Sequence, residues 1–262
     1  MAYDGTDFWG FQAQPVGPTV QGVLEAALER VNRAPARIVA AGRTDTGVHA
    51  SGQVIHFDYR GPVPIDRLAL VLNTALPRTV AVLQCRRAAP SFHARYSALS
   101  RTYRYSFLNS DLPAPLRERF AWRLGGRLDV AAMAAGADLF LGEHSFRRFG
   151  SIPGDTDQQE RSRRRHGWRR RVLSSRLDYG GDELWLTVEA NAFLTHMARS
   201  LAATLAALGR GSMELEAVAD ALDDSERDAA LVTPAPPRGL CLVRVRYPDD
   251  GSREDHDRER ME

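Results

Sequence analysis

Residues 37 to 59 read RIVAAGRTDTGVHASGQVIHFDY, which divides into a β-rich run over 37–41, a glycine-bounded loop, and an alternating run over 53–59. In the second run Val54, His56 and Asp58 alternate with Ile55, Phe57 and Tyr59, the two-residue period of a strand. Gly42 and Gly47 permit close backbone approach on either side of Arg43 and Asp45. If the loop is extended, Arg43 and Asp45 lie on one side, and an arginine beside a carboxylate favours its ionised form, as a nucleophile or base requires. An aspartate turn with an ordinary ion pair fits the same residues.

Working outward, Val20, Val23, Leu24, Ala27, Leu28 and Val31 have the spacing of an amphipathic helix over 19–33, with Pro18 and Thr19 as its start signal. A second helix is expected over 66–76, ended by Pro77, and strands over 80–86 and 102–108. The remainder predicts a strand at 120–124, a helix at 129–141, and strands at 171–177 and 183–189. A long helix at 193–208, a short one at 215–222 and a closing strand at 240–247 follow. The pattern is α+β, in two similar halves over 1–108 and 109–248. Their link is the turn-rich stretch holding Asn109, Ser110, Asp111, Pro113 and Pro115.

Composition narrows the function classes. The 262 residues are 44% hydrophobic and 26% charged, which suits a folded core rather than a disordered chain. The most apolar stretch, 192–209, is interrupted by Thr195, His196 and Arg199, so no membrane span is expected. No basic segment leads into an apolar one near Met1, and the two cysteines offer no disulfide framework; the expected compartment is the cytosol. Cys85 and Cys241 lie in apolar runs and read as buried structural residues.

The net charge of +2 is unevenly spread. Residues 248–262 carry seven acids against three arginines, a charged tail of −4 that leaves +6 on the rest and is expected from 249 onward to be disordered. All 35 basic side chains are arginine, whose planar fork can grip a phosphate with two hydrogen bonds. A coding-sequence bias accounts for the missing lysines as readily. Between 161 and 171, seven of eleven residues are arginine, with His166 and Trp168 among them, a pattern suited to a phosphate backbone or to a solvated loop. With no lysine there is no P-loop, and Asp45, His49 and Asp58 lack a recognised metal-ligand spacing.

In Arg101-Thr102-Tyr103-Arg104-Tyr105, a strand would put Tyr103 and Tyr105 on one face and Arg104 on the other. A tyrosine ring there could stack on an unpaired base or simply pack in a core. On the long helix Arg199 interrupts an apolar stripe and needs either a carboxylate such as Asp45 or an exposed face.

These segments together resemble the tRNA pseudouridine synthase A family. The matching residues are Tyr3-Asp4-Gly5-Thr6 with Phe8, Gly10 and Gln12; Gly42-Arg43-Thr44-Asp45 with Gly47-Val48-His49; and Phe92-His93-Ala94-Arg95. Tyr103-Arg104-Tyr105, Asn191-Ala192-Phe193-Leu194 with Met197 and Arg199, and Gly239-Leu240 complete the set in the family's order. The resemblance implies the pseudouridine synthase fold: two antiparallel-rich sheets with helices on one face and a central positively charged cleft. It implies that Asp45 is the catalytic aspartate, acting on uridines at nucleotides 38 to 40 of the tRNA anticodon stem-loop. Substrate-binding roles fall on Tyr103 against the base, Arg199 paired with Asp45, and Arg43 in the space a flipped nucleotide leaves. No cofactor, ATP or metal is implied; a homodimer is.

Thr46 stands where the family usually has alanine and Ala198 where it has valine, and the chain begins within the expected first strand. Two other readings remain on the residues alone: a non-catalytic RNA-binding module of the same fold, and a metal-dependent nuclease using Asp45, Asp58 and His49.

Overall fold

The computed structural model describes residues 1–151, 167–223 and 231–248. The tail and the part of the arginine cluster at 161–166 lie outside the described residues.

The architecture is α+β. One nine-stranded sheet runs β5-β1-β3-β11-β6-β10-β9-β8, with β7 attached to β6, and β2 and β4 form a separate pair. Its strands are β1 (Ala2–Tyr3), β3 (His49–Ala50), β5 (Val80–Ala81), β6 (Ser100–Asn109) and β7 (Trp122–Leu124). β8 (Gly142–Ser145), β9 (Arg169–Gly180), β10 (Glu183–Ala190) and β11 (Leu240–Arg246) complete it; the small pair is β2 (Val39–Ala40) and β4 (Ile55–His56). Pairing is antiparallel except for β11 with β3 and β6 with β7. The closing strand β11 therefore joins β3 to β6, so early and late segments share one sheet.

Local chemistry accounts for the elements. Helix α1 (Val20–Asn32) starts where Thr19 accepts a hydrogen bond from the Gly22 amide, and it buries Val20, Leu24, Ala27 and Leu28. α2 (Ile65–Ala75) buries Leu68 and Leu72. α3 (Val130–Leu139) is capped by Asp129, which accepts from the Ala132 amide. Along β10 Leu184, Leu186, Val188 and Ala190 turn inward while their neighbours do not. α4 (Met197–Gly209) is buried nearly throughout, and α5 (Leu215–Leu222) buries Val218 and Leu222.

Some predicted elements are shorter. The run 80–86 keeps only β5, because the Asn73 side chain takes over both backbone groups of Val82: its amide donates to the carbonyl and its Oδ1 accepts from the N–H. The run 53–59 keeps only β4. At 193–208 the helix begins at Met197 instead: Thr195 exchanges two backbone hydrogen bonds with Ser151, and His196 is left-handed at φ 65°. The first strand, though only two residues long, pairs on both sides, with β3 and with β5.

Candidate active site

The loop between β2 and β3 is held from several directions. The Phe11 amide donates to the Thr44 carbonyl, the Val48 amide to that of Asp45, and Gln53 Nε2 to that of Gly42 at 2.7 Å. Thr44 is buried, with Oγ1 2.8 Å from the Tyr3 hydroxyl. Burial pushes the Tyr3 phenol up to about 12, against the opposing hydrogen bonds to Thr44 and Gln53. Gly5 makes this packing possible, since a Cβ there would lie 2.0 Å from the Val48 carbonyl oxygen. Gly47, at φ 77°, turns the chain in the left-handed region after Asp45.

Arg101 fixes the adjoining backbone. Its Nε and Nη2 donate to the Ala41 carbonyl, its Nη1 to that of Asn191 and its Nη2 also to that of Arg95, tying three segments together. Burial pulls its pKa below the ordinary arginine range.

Asp45 faces the start of α4. Its Oδ2 is 3.1 Å from Arg199 Nη1 and 3.6 Å from His196 Nε2. Arg199 is braced in turn: its Nε donates to the Ala235 carbonyl at 2.7 Å, and the Ala235 amide donates back to its carbonyl. The Arg199 side chain is 16% exposed and that of Asp45 32%, so the carboxylate remains reachable while its partner is largely covered.

Tyr103 is buried in β6 with its ring edge-on to Phe193 at 4.9 Å. Its hydroxyl lies 3.6 Å from where a Gly42 Cβ would stand, and burial pushes its phenol well above the ordinary value, so it is a neutral phenol at neutral pH. Tyr105, on the same face, donates instead to the Pro236 carbonyl at 2.8 Å.

Arg43 does not pair with Asp45. The chain turns after Asp45, where the Val48 amide donates to its carbonyl, and the carboxylate faces α4, while Arg43 is exposed near Arg95 and Tyr96. Partial loss of hydration, and after it the Arg95 charge, lowers the Arg43 pKa. The Arg95 guanidinium sits 5.7 Å from the centre of the exposed Tyr96 ring. Asp45, Arg43, Tyr103 and Arg199 nevertheless line one cavity of about 1350 Å³, together with Trp9 and His196.

Arg101, His196 and Trp9 were not singled out from sequence. Arg101 sits two positions before Tyr103 on the same strand, and that period-two spacing was the available signal for a shared face. His196 had appeared only as a break in an apolar run.

His49 is occupied otherwise: Nδ1 accepts from the Gly5 amide at 3.0 Å and Nε2 is 3.2 Å from the Arg238 carbonyl, the pattern of a neutral ring protonated at Nε2. Burial lowers its pKa accordingly. Among the described residues no three His, Cys, Asp or Glu side chains are grouped to hold a metal ion. Cys85 and Cys241 are free and half-buried, and burial raises both thiols.

Comparison with known proteins agrees with the resemblance. The family described as tRNA pseudouridine synthase matches residues 1–97 and 137–248. A tRNA pseudouridine synthase A of Moorella thermoacetica is 42% identical over 249 residues, covering 94% of this chain and 97% of the relative. Proteins of the same name from Brevibacillus brevis and a Roseiflexus species are 38% and 40% identical, covering 94% and 96% of this chain and 97% and 90% of their own lengths.

Proposed function

The chain belongs to the tRNA pseudouridine synthase family, and from that premise we propose that it isomerises uridines 38 to 40 of the tRNA anticodon stem-loop with Asp45 as nucleophile. The observation that carries this reading is the Asp45–Arg199 pair, open on one side to a cavity large enough to admit an extruded nucleotide.

The reaction balances within the nucleotide. The N1–C1′ bond breaks, the uracil turns, C5 joins C1′, C5 loses its proton and N1 gains one. Asp45 forms the transient covalent bond, either to the base at C6 or to the sugar at C1′. Arg199 holds the carboxylate in position and Tyr103 offers its ring to the base. Arg43 occupies the gap that the flipped nucleotide leaves, for which its exposed setting, with no carboxylate paired to it among the described residues, is suited. The same reading includes a cytoplasmic homodimer and a chain divided near 108/109.

The test is Asp45→Asn assayed on an unmodified tRNA transcript. We expect no pseudouridine by chemical derivatisation and affinity for the transcript within about threefold of wild type, since one charged oxygen is replaced by an isosteric amide. Turnover by the variant would remove Asp45 from the role. A wild-type protein that binds tRNA without converting it would favour the binding module.

A further inference from the structure

The described end of the arginine cluster holds three side chains in unlike surroundings. Arg169 is exposed, with Nε 3.2 Å from Glu143 Oε1, and Arg171 is exposed as well. Arg170 between them is only 5% exposed, because the alternation of β9 turns it inward on the same side as Val172.

Its Nη1 donates to the carbonyls of Gly167 at 3.0 Å and Arg169 at 2.6 Å. Its Nε is buried without a partner, and among the described residues Nη2 makes no hydrogen bond and no carboxylate pairs with the side chain. Burial alone pulls its pKa down. Yet Arg170 lines the same cavity as Asp45.

A guanidinium withdrawn from water is costly unless an anion meets it, and a core that needed only filling there would take an apolar side chain. Anchoring Nη1 fixes the plane and, with Nε covered, leaves Nη2 as the nitrogen that can donate to a phosphate oxygen. On the RNA-modifying reading above, on which this inference rests, each nucleotide entering the cavity brings one.

We propose that Arg170 is a phosphate-binding residue whose Nη2 takes one backbone phosphate of the RNA and so sets the strand's register over Asp45. It is a positioning residue and takes no part in bond making.

The experiment compares the wild type with Arg170→Gln, Arg170→Lys and Arg176→Gln. Arg176 is an exposed control on the same strand, already 2.9 Å from Asp178 and absent from the cavity wall. Binding of an unmodified tRNA transcript is measured across a salt series, beside melting temperature and conversion. Arg170→Gln should weaken binding by about 10- to 100-fold and flatten the log–log salt slope by about 0.7 to 0.9. Arg170→Lys should keep the slope and lose affinity; Arg176→Gln should change neither.

Should Arg170→Gln not fold, single methylphosphonate linkages in the RNA are scanned against wild type and Arg170→Lys. One linkage is expected to cost affinity with the wild type and less with the lysine variant, and identical profiles overturn the proposal. So does a lower melting temperature with unchanged affinity and slope, which makes Arg170 a clamp for the Gly167 turn. A wild type that neither binds nor converts the transcript sinks the RNA reading as well. Normal conversion with unaltered binding in Arg170→Gln sinks the phosphate contact alone.

Discussion

On the floor of the cavity, Asp45 meets Arg199 and His196, Arg199 is braced by Ala235, and Arg101 spans three backbone segments. On the rim, Arg43 and Arg95 face one another's charge, Tyr96 is exposed, and the Trp9 ring is about half exposed at 49%. The floor spends its polar groups on one another, so its geometry exists before substrate arrives, as a covalent step demands. The rim leaves cations and rings open, which suits a polyanion with unpaired bases. Substitutions on the floor should therefore act on turnover or stability, and those on the rim on binding.

After Asp45 itself, the largest effect is expected at Arg199. Arg199→Met keeps the stem of the side chain but leaves Asp45 without its guanidinium, and kcat should fall by roughly 100- to 1000-fold, about 2.7–4 kcal/mol in the barrier. Single-turnover conversion and equilibrium binding separate the alternatives. Reduced affinity with unchanged kcat would break the distinction at its centre.

Arg101→Gln should come next, through stability. The carbonyls of Ala41, Asn191 and Arg95 lose a shared charged donor in a buried setting, for a cost of about 2–3 kcal/mol in denaturant unfolding. A midpoint unchanged from wild type would show that the loops are held together by packing alone.

Arg43→Ala should act only on the rim. With no carboxylate partner lost, its melting temperature should match that of the wild type, while tRNA affinity falls about tenfold, or about 1.4 kcal/mol. A drop in melting temperature without a binding defect would place Arg43 with the floor.

The sequence showed what local rules govern. Thr19 and the spacing of Val20, Leu24 and Leu28 marked α1, and alternation marked β6 and β10, because caps and side-chain period are written in adjacent residues. The start of α4 was misread because Phe193 continues the apolar period, while the pairing that unwinds Thr195 comes from Ser151, more than forty residues earlier. That Arg43 and Asp45 do not pair has a like reason: contacts from Phe11 and the Val48 turn decide where Asp45 points. Arg199 lies 154 residues from Asp45, so spacing could nominate a carboxylate for it but could not choose one; the family resemblance did that. Arg101 was overlooked because its partners are carbonyl oxygens, which no residue type announces.

The smallest expected effect is a pH dependence carried by the support of the rim. His56 accepts a hydrogen bond at Nδ1 from the Ala94 amide, one residue before Arg95, and its ring lies 4.8 Å from that of His93. Burial, and then the neighbouring His93 charge, lowers its pKa; Asp58 acts in the opposite direction. The folded protein therefore resists protonation where the unfolded chain, near pH 6.5, accepts it. The stabilisation is complete above about pH 6.5 and is lost as pH falls from there toward the lower folded value. His49, also lowered by burial and accepting at Nδ1 from Gly5, adds in the same sense from outside the cavity wall. Denaturant midpoints should drop between pH 7.5 and 5.5, and less so in His56→Asn, whose side chain can still accept from Ala94 but does not titrate in that range. If the variant's drop equals that of the wild type, the acid sensitivity belongs to His49; if tRNA affinity alone changes, it belongs to the rim as the RNA meets it.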